Sequence, residues 1–148
     1  MVSRGVMRVL LVDDSESFLA STRRFIQSRP DLELVGTART GIEAIDAAAQ
    51  LKPDLVIVEA ALTGMDGFRV ARQLKIRGDA PLVLLVTFYP SVAARNEAFA
   101  AGADAFLAKD DFSDEIESIL ERWHAEQPAH GTAPATRPLR ELRDVPEA

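Results

Sequence analysis

Five side chains in this sequence stand where they could share one piece of chemistry. Asp13 and Asp14 follow the run from Met7 to Val12, which is apolar except for Arg8. Glu59 follows Leu55-Val56-Ile57-Val58, Thr87 follows Leu82-Val83-Leu84-Leu85-Val86, and Lys109 follows the run from Ala103 to Ala108. Carboxylates held a few ångströms apart repel, so that at least one has a raised pKa. A hard divalent cation such as Mg2+ relieves that repulsion and takes oxygen ligands. A lysine and a hydroxyl beside them would hold a transferred phosphoryl group or an oxyanion. Each residue alone says little, since an acid after a strand is common and a lysine there is usually a solvated charge. At four separate strand ends they form one constellation. The segment Asp13-Asp14-Ser15-Glu16 is acidic and lacks the glycines of a phosphate loop, which speaks against nucleotide binding.

These residues need a scaffold that ends its strands side by side. Residues 54–58 hold four consecutive apolar positions, three of them β-branched, as in a central parallel strand covered on both faces. Met7 to Val12 and residues 82–86 read as two more buried strands. Leu32 to Gly36 alternates like a strand near the sheet edge, and residues 103–108 make a short last strand. Ser15 can cap a helix over 16–28, with Phe18, Leu19, Thr22, Phe25 and Ile26 inward and Pro30 as the stop. Gly41 opens a helix with Ile42, Ala44, Ile45 and Ala48 inward. Residues 66–76 follow with Phe68, Val70, Ala71 and Leu74 on one face. Residues 91–101 form an Ala-rich helix closed by Gly102, and residues 112–125 carry Phe112, Ile116, Ile119, Leu120 and Trp123 on one face. Five strands alternating with five helices make a doubly wound α/β sheet, which binds ligands outside the C-terminal strand ends where strand order reverses.

Length and composition bound the function. A chain of 148 residues with 47% apolar residues suits one domain with a substantial core. From Glu126 onward the periodicity dissolves, and four of the eight prolines fall in 126–148. That stretch reads as a flexible tail, in which Leu139, Leu142 and Val145 could form a short docking turn. A formal charge of −6 opposes nucleic-acid binding. There is no cysteine, hence no disulfide, thiolate metal site or cysteine nucleophile. No apolar run approaches the ~20 residues that cross a bilayer, and Met1 to Gly5 lacks the apolar stretch of a signal peptide. A soluble cytoplasmic protein is expected. His124 and His130 have no metal-spaced partner, and no serine has a plausible triad. A metal-dependent hydrolase is disfavoured, because no base or nucleophile stands apart from the acidic cluster.

The sequence resembles the receiver domain of two-component response regulators over roughly residues 6–125. The resemblance is carried by Val12-Asp13-Asp14, Pro53-Asp54-Leu55-Val56-Ile57-Val58, Gly64-Met65-Asp66-Gly67, Thr87, Ala101-Gly102-Ala103 and Lys109. It implies a flavodoxin-like sheet of order 2-1-3-4-5, with 1–125 as the receiver-like domain and 126–148 as the tail. It also implies a Mg2+ site at Asp13, Asp14, Glu59 and the backbone carbonyl of Ala61, and a switch through Thr87 and Phe106. Glu59 falls where that family has its phosphoacceptor aspartate. Glutamate is one methylene longer, about 1.5 Å of extra reach, and should be a poor phosphoacceptor with weak Mg2+ binding. Its carboxylate would stand nearer Thr87 and Lys109 and imitate the modified state with about half its charge. Phe88 stands where the family usually has a small residue, either narrowing the pocket or packing against the fourth helix. Thr63 replaces the usual proline before Gly64. The expected function is a stand-alone, non-enzymatic receiver-like signalling module of the phosphorelay type. It would act through protein contacts at residues 91–122 and not be phosphorylated in the usual way. The alternative is a phosphotransfer-competent regulator that accepts phosphate from a histidine kinase.

Overall fold

Apolar runs too short for helices and too continuous for a half-exposed sheet become strands buried on both faces. In the computed structural model, which describes residues 5–126, β1 (Met7–Val12), β3 (Leu55–Glu59) and β4 (Leu82–Thr87) form the middle of the sheet. β2 (Leu32–Ala38) and β5 (Ala105–Ala108) form its edges, and all pairs are parallel in the order β2-β1-β3-β4-β5. The crossovers are α1 (Glu16–Gln27), α2 (Gly41–Leu51), α3 (Gly67–Lys75) and α4 (Val92–Ala100). A 3-10 turn over Lys109–Asp111 leads into α5 (Phe112–Glu126). Side chains alternate along each strand, so the core divides in two. Val9, Leu11, Ile57, Leu84 and Val86 pack with α1 and α5, whereas Leu10, Val12, Val56, Val58 and Leu85 pack with α2, α3 and α4.

Helix ends lie where the caps dictate. Ser15, Thr40, Asp66 and Ser91 each accept a hydrogen bond from a backbone N–H in the first turn of the following helix. α5 runs one residue past the expected domain boundary at 125. The tail expectation for 126–148 lies almost wholly outside the described residues. Ile42 departs from the inward face assigned to α2, being 64% exposed. It stands about 200° around the helix from Ala44, and α2 meets the sheet through the small residues Gly41, Ala44 and Ala48. Ile45 is half-buried beside them. Trp123 is core.

Two charged residues, Arg8 and Lys75, pin the N-terminal ends of the strands, opposite the acidic tips. Arg8 donates its backbone N–H to Asp54 Oδ2 at 2.8 Å, and its guanidinium donates to the carbonyls of Leu51 and Lys52 at 2.7 and 2.8 Å. These carbonyls end α2 and would otherwise lack partners. Lys75 Nζ meets Asp104 Oδ2 at 2.7 Å and donates to the Pro81 carbonyl at 2.8 Å. The same carboxylate oxygen accepts the Val83 N–H at 2.9 Å. Asp104 thereby ties α3, β4 and the turn before β5 together. Asp104→Ala is expected to cost about 3–5 kcal/mol, as when one partner of a buried pair is removed. Urea unfolding would measure this, and a loss under about 1 kcal/mol would show that water takes over the pair.

Candidate functional site

At the C-terminal ends of β1, β3, β4 and β5, the chain brings Asp13, Glu59, Thr87 and Lys109 into one buried cluster. Local sequence dictates each placement. Asp13 is held by its own turn, since its Oδ1 accepts the Ser15 N–H at 2.8 Å. Glu59 is the last residue of β3, paired with Val86 in register, and its Oε2 accepts the Ala61 N–H at 2.7 Å. The start of α3 lies so close to β3 that a Cβ at Gly67 would come 2.2 Å from the Glu59 carbonyl oxygen. Only glycine permits that approach, which holds the loop Ala60–Asp66 against the strand end. Gly64 in this loop has φ +81°, in the left-handed region.

Lys109 is the centre of the cluster. Its Nζ lies 2.6 Å from Glu59 Oε1 and 2.7 Å from Asp13 Oδ2, and its side chain is 2% exposed. Each carboxylate therefore gives one oxygen to a backbone N–H and the other to the ammonium. Two aromatic rings close the ammonium in, Phe18 of α1 at 4.6 Å and Phe88 after β4 at 4.4 Å from the ring centroids. Such contacts are worth about 0.5–2 kcal/mol, most where the cation is desolvated. Phe88 is thus placed over the Lys109 ammonium while remaining 46% exposed. Burial pushes the Asp13 pKa above the ordinary carboxylate value; Lys109 and the Ser15 N–H pull it back, and the charge of Glu59 pushes it up. A group with a raised folded pKa favours the fold most below its unfolded pKa, and this contribution is lost as pH rises through the folded value. An NMR titration of the Asp13 carboxyl carbon is therefore expected to have its midpoint above that of an exposed aspartate, and a midpoint below it would refute the burial argument.

Of the expected Mg2+ ligands, Asp13 and Glu59 come together but on the Lys109 ammonium, and Asp14 does not join them. Asp14 is exposed, and among the described residues no group of three acids or histidines is placed to share a metal ion. Glu59 has both oxygens engaged, one by the Lys109 ammonium and the other by the Ala61 N–H. Asp13 Oδ2 has no partner besides the ammonium, which leaves one acidic oxygen where an octahedral ion needs several. The donor set does not fit a tightly held Mg2+ while Lys109 lies between the two carboxylates. Thr87 Oγ1 accepts the Tyr89 N–H at 3.1 Å, and the Glu59 carboxylate turns to Lys109, one of the two groups it was expected to approach. Phe106, expected as the switching aromatic, is half-buried on the side of the sheet packed by α4. The sequence reading placed Phe18 only in the core of α1. Its position in the first turn after Asp13 was the signal that it also faces the strand tips.

The model of the response regulator receiver domain matches residues 9–121. The chain belongs to the response regulator receiver family. The receiver resembles the signal receiver domain of the response regulator NarL from Mycobacterium tuberculosis, with a TM-score of 0.76, 26% identity, and coverage of 83% of this chain and 99% of that one. The response regulator domain of Thermotoga maritima CheB gives a TM-score of 0.73, 25% identity and the same coverage of the two chains. A curated relative, the protein-glutamate methylesterase/protein-glutamine glutaminase of Thermotoga maritima, is 44% identical over 46 residues. That match covers 31% of this chain and only 13% of the relative, so the named activity belongs to that protein. Receiver domains are signalling modules that interact with histidine kinases and other proteins, and they bind Mg2+ at the acidic site. No helix among the described residues is long and apolar enough to cross a membrane.

Proposed function

We propose that this receiver signals through protein contacts and is not phosphorylated in the usual way, Glu59 standing at the phosphoacceptor position. The observation that carries this reading is the ammonium of Lys109 bound at once to Glu59 and Asp13 beneath the ring of Phe88. A phosphoryl group arriving at Glu59 would have to break that pair, displace the ring and find an attacking oxygen about 1.5 Å away from where an aspartate would hold it. A displacement of ~1 Å can cost ~10²-fold in rate. The built-in cation also takes the electrostatic role that a divalent ion would have between the carboxylates. Partners are read at the surface formed by residues 91–122, which includes α4, β5 and most of α5. Glu59 is permanent, so whatever bias it gives this surface needs no kinase.

The test is transfer from a radiolabelled small-molecule phosphodonor with Mg2+ to the full chain, read after denaturing electrophoresis. No stable acyl phosphate is expected, and calorimetric titration with Mg2+ should register only weak binding. Efficient labelling that maps to Glu59 would overturn the reading and support the phosphotransfer-competent alternative.

A further inference from the structure

A groove of about 750 Å3 lies between α4, β5 and the first turns of α5. Its apolar lining includes Val92, Phe99, Phe106 and Leu107, and Asp111 and Glu115 stand on the α5 side. Val92 is 71% exposed, and Asp110 and Asp114 add exposed acids beside the same rim. Arg95 lines the opposite, α4 side, over the ring of Phe99. An apolar floor with acids along one rim and a cation on the other suits an amphipathic segment that carries both signs of charge, arginines toward the α5 side. Elsewhere the exposed large apolar residues Ile42 and Ile76 belong to other helices or their ends and line no such groove.

The chain carries a segment with that pattern. Past α5, Leu139, Leu142 and Val145 recur every third residue, Arg137, Arg140 and Arg143 do the same beside them, and Glu141 and Asp144 stand between the arginines. Helical spacing would put the three apolar residues in one stripe and the three arginines in the adjoining one. Pro138 falls where a first helical turn accepts proline, and Pro146 closes the stretch. Reach permits the docking. α5 has 15 residues, so its C-terminal end is about 22 Å from the acidic rim at its start. The roughly 13 residues from Glu126 to Leu139 span up to ~43 Å when extended. Tethering holds the segment near its target at about millimolar effective concentration.

From this fit of apolar stripe to apolar floor and of arginines to acidic rim, we infer that residues 137–145 dock within the same molecule in the α4–β5–α5 groove. There they cover Phe106 and the face read above as the partner surface. A partner then competes with the chain's own tail, and affinity measured on the full chain is lower than on the uncovered domain. The inference stands apart from the role of Glu59, since neither the groove nor the segment includes the acidic cluster.

Amide hydrogen exchange of the full chain, compared with the double variant Leu139→Asp/Leu142→Asp, tests this. Both substitutions lie beyond the described residues 5–126, and thermal unfolding of the variant checks that the domain is intact. With a docking constant of ~0.1 mM against a millimolar effective concentration, peptides covering residues 92–100 and 105–108 should exchange about tenfold faster in the variant. The ratio should not change with protein concentration. Equal exchange in the two proteins would overturn the inference. Protection that grows with protein concentration would overturn it too, by assigning the groove to the segment of a second copy.

Discussion

Lys109→Met is expected to lower stability by about 3–5 kcal/mol at neutral pH, the usual cost of stripping a partner from a buried charge. Methionine preserves the length and much of the packing between Phe18 and Phe88, so the loss isolates the charge. Without the ammonium, Asp13 and Glu59 would face each other as buried anions, each keeping a single backbone N–H. The deficit should shrink on acidification, because a proton on either carboxylate removes the repulsion. Asp13 would take it up early, since burial already raises its pKa. A raised pKa makes the sign unambiguous: stability of the variant is greatest below the unfolded pKa and falls as pH rises through the folded one. Adding Asp13→Asn and Glu59→Gln to Lys109→Met should recover most of the loss, as apolar or neutral replacement of buried ion pairs often does. Urea unfolding at neutral and acidic pH measures all of this. A single-variant loss under about 1 kcal/mol, independent of pH, would show that water screens the cluster and that Lys109 does not lock Glu59.

How far this cluster was legible depended on which residues the backbone alone commits. A run such as Leu55-Val56-Ile57-Val58 can only be satisfied between two layers of helices, so the strands and their order followed, and with them the strand tips. The ends of the helices followed from their capping residues. Side-chain choices at the tips were less determined. Asp13 and Asp14 look alike in sequence, yet alternation along β1 and the turn at Ser15 bury the first and expose the second. Glu59 turns to Lys109, whose long side chain brings a charged donor to the carboxylate where Thr87 offers only a neutral hydroxyl. Phe18 was legible as core, but its contact with Lys109 depends on how far that lysine reaches back across the strand tips from the end of β5, which periodicity does not encode. Ile42 misled because apolarity alone does not fix which stripe of a short, Ala-rich helix meets the sheet.

Glu59→Asp is expected to raise labelling from a small-molecule phosphodonor at least ~100-fold, the scale of rate recovered when a reacting group regains about 1 Å of lost alignment. Removing one methylene draws the carboxylate back by about 1.5 Å, out of reach of its 2.6 Å contact with Lys109. The ammonium then keeps Asp13 and becomes available to an incoming phosphoryl oxygen, while the shortened carboxylate gains space for a hydrated cation beside Asp13. Mg2+ affinity should rise with the labelling for this reason. The ring of Phe88, 4.4 Å from the ammonium, would still obstruct entry. Phe88→Ala in the aspartate background should therefore increase the labelling rate further, and in the glutamate background should leave it at the floor. Glu59→Gln, which has the reach of glutamate without its charge, should not label at all. The four proteins separate the two causes: a rise with Glu59→Asp alone assigns the block to geometry at residue 59, and a rise only with the added Phe88→Ala assigns it to access. Equal labelling of the glutamate and aspartate forms would refute both, and would mean that the ion pair with Lys109 opens readily enough to leave Glu59 a working acceptor.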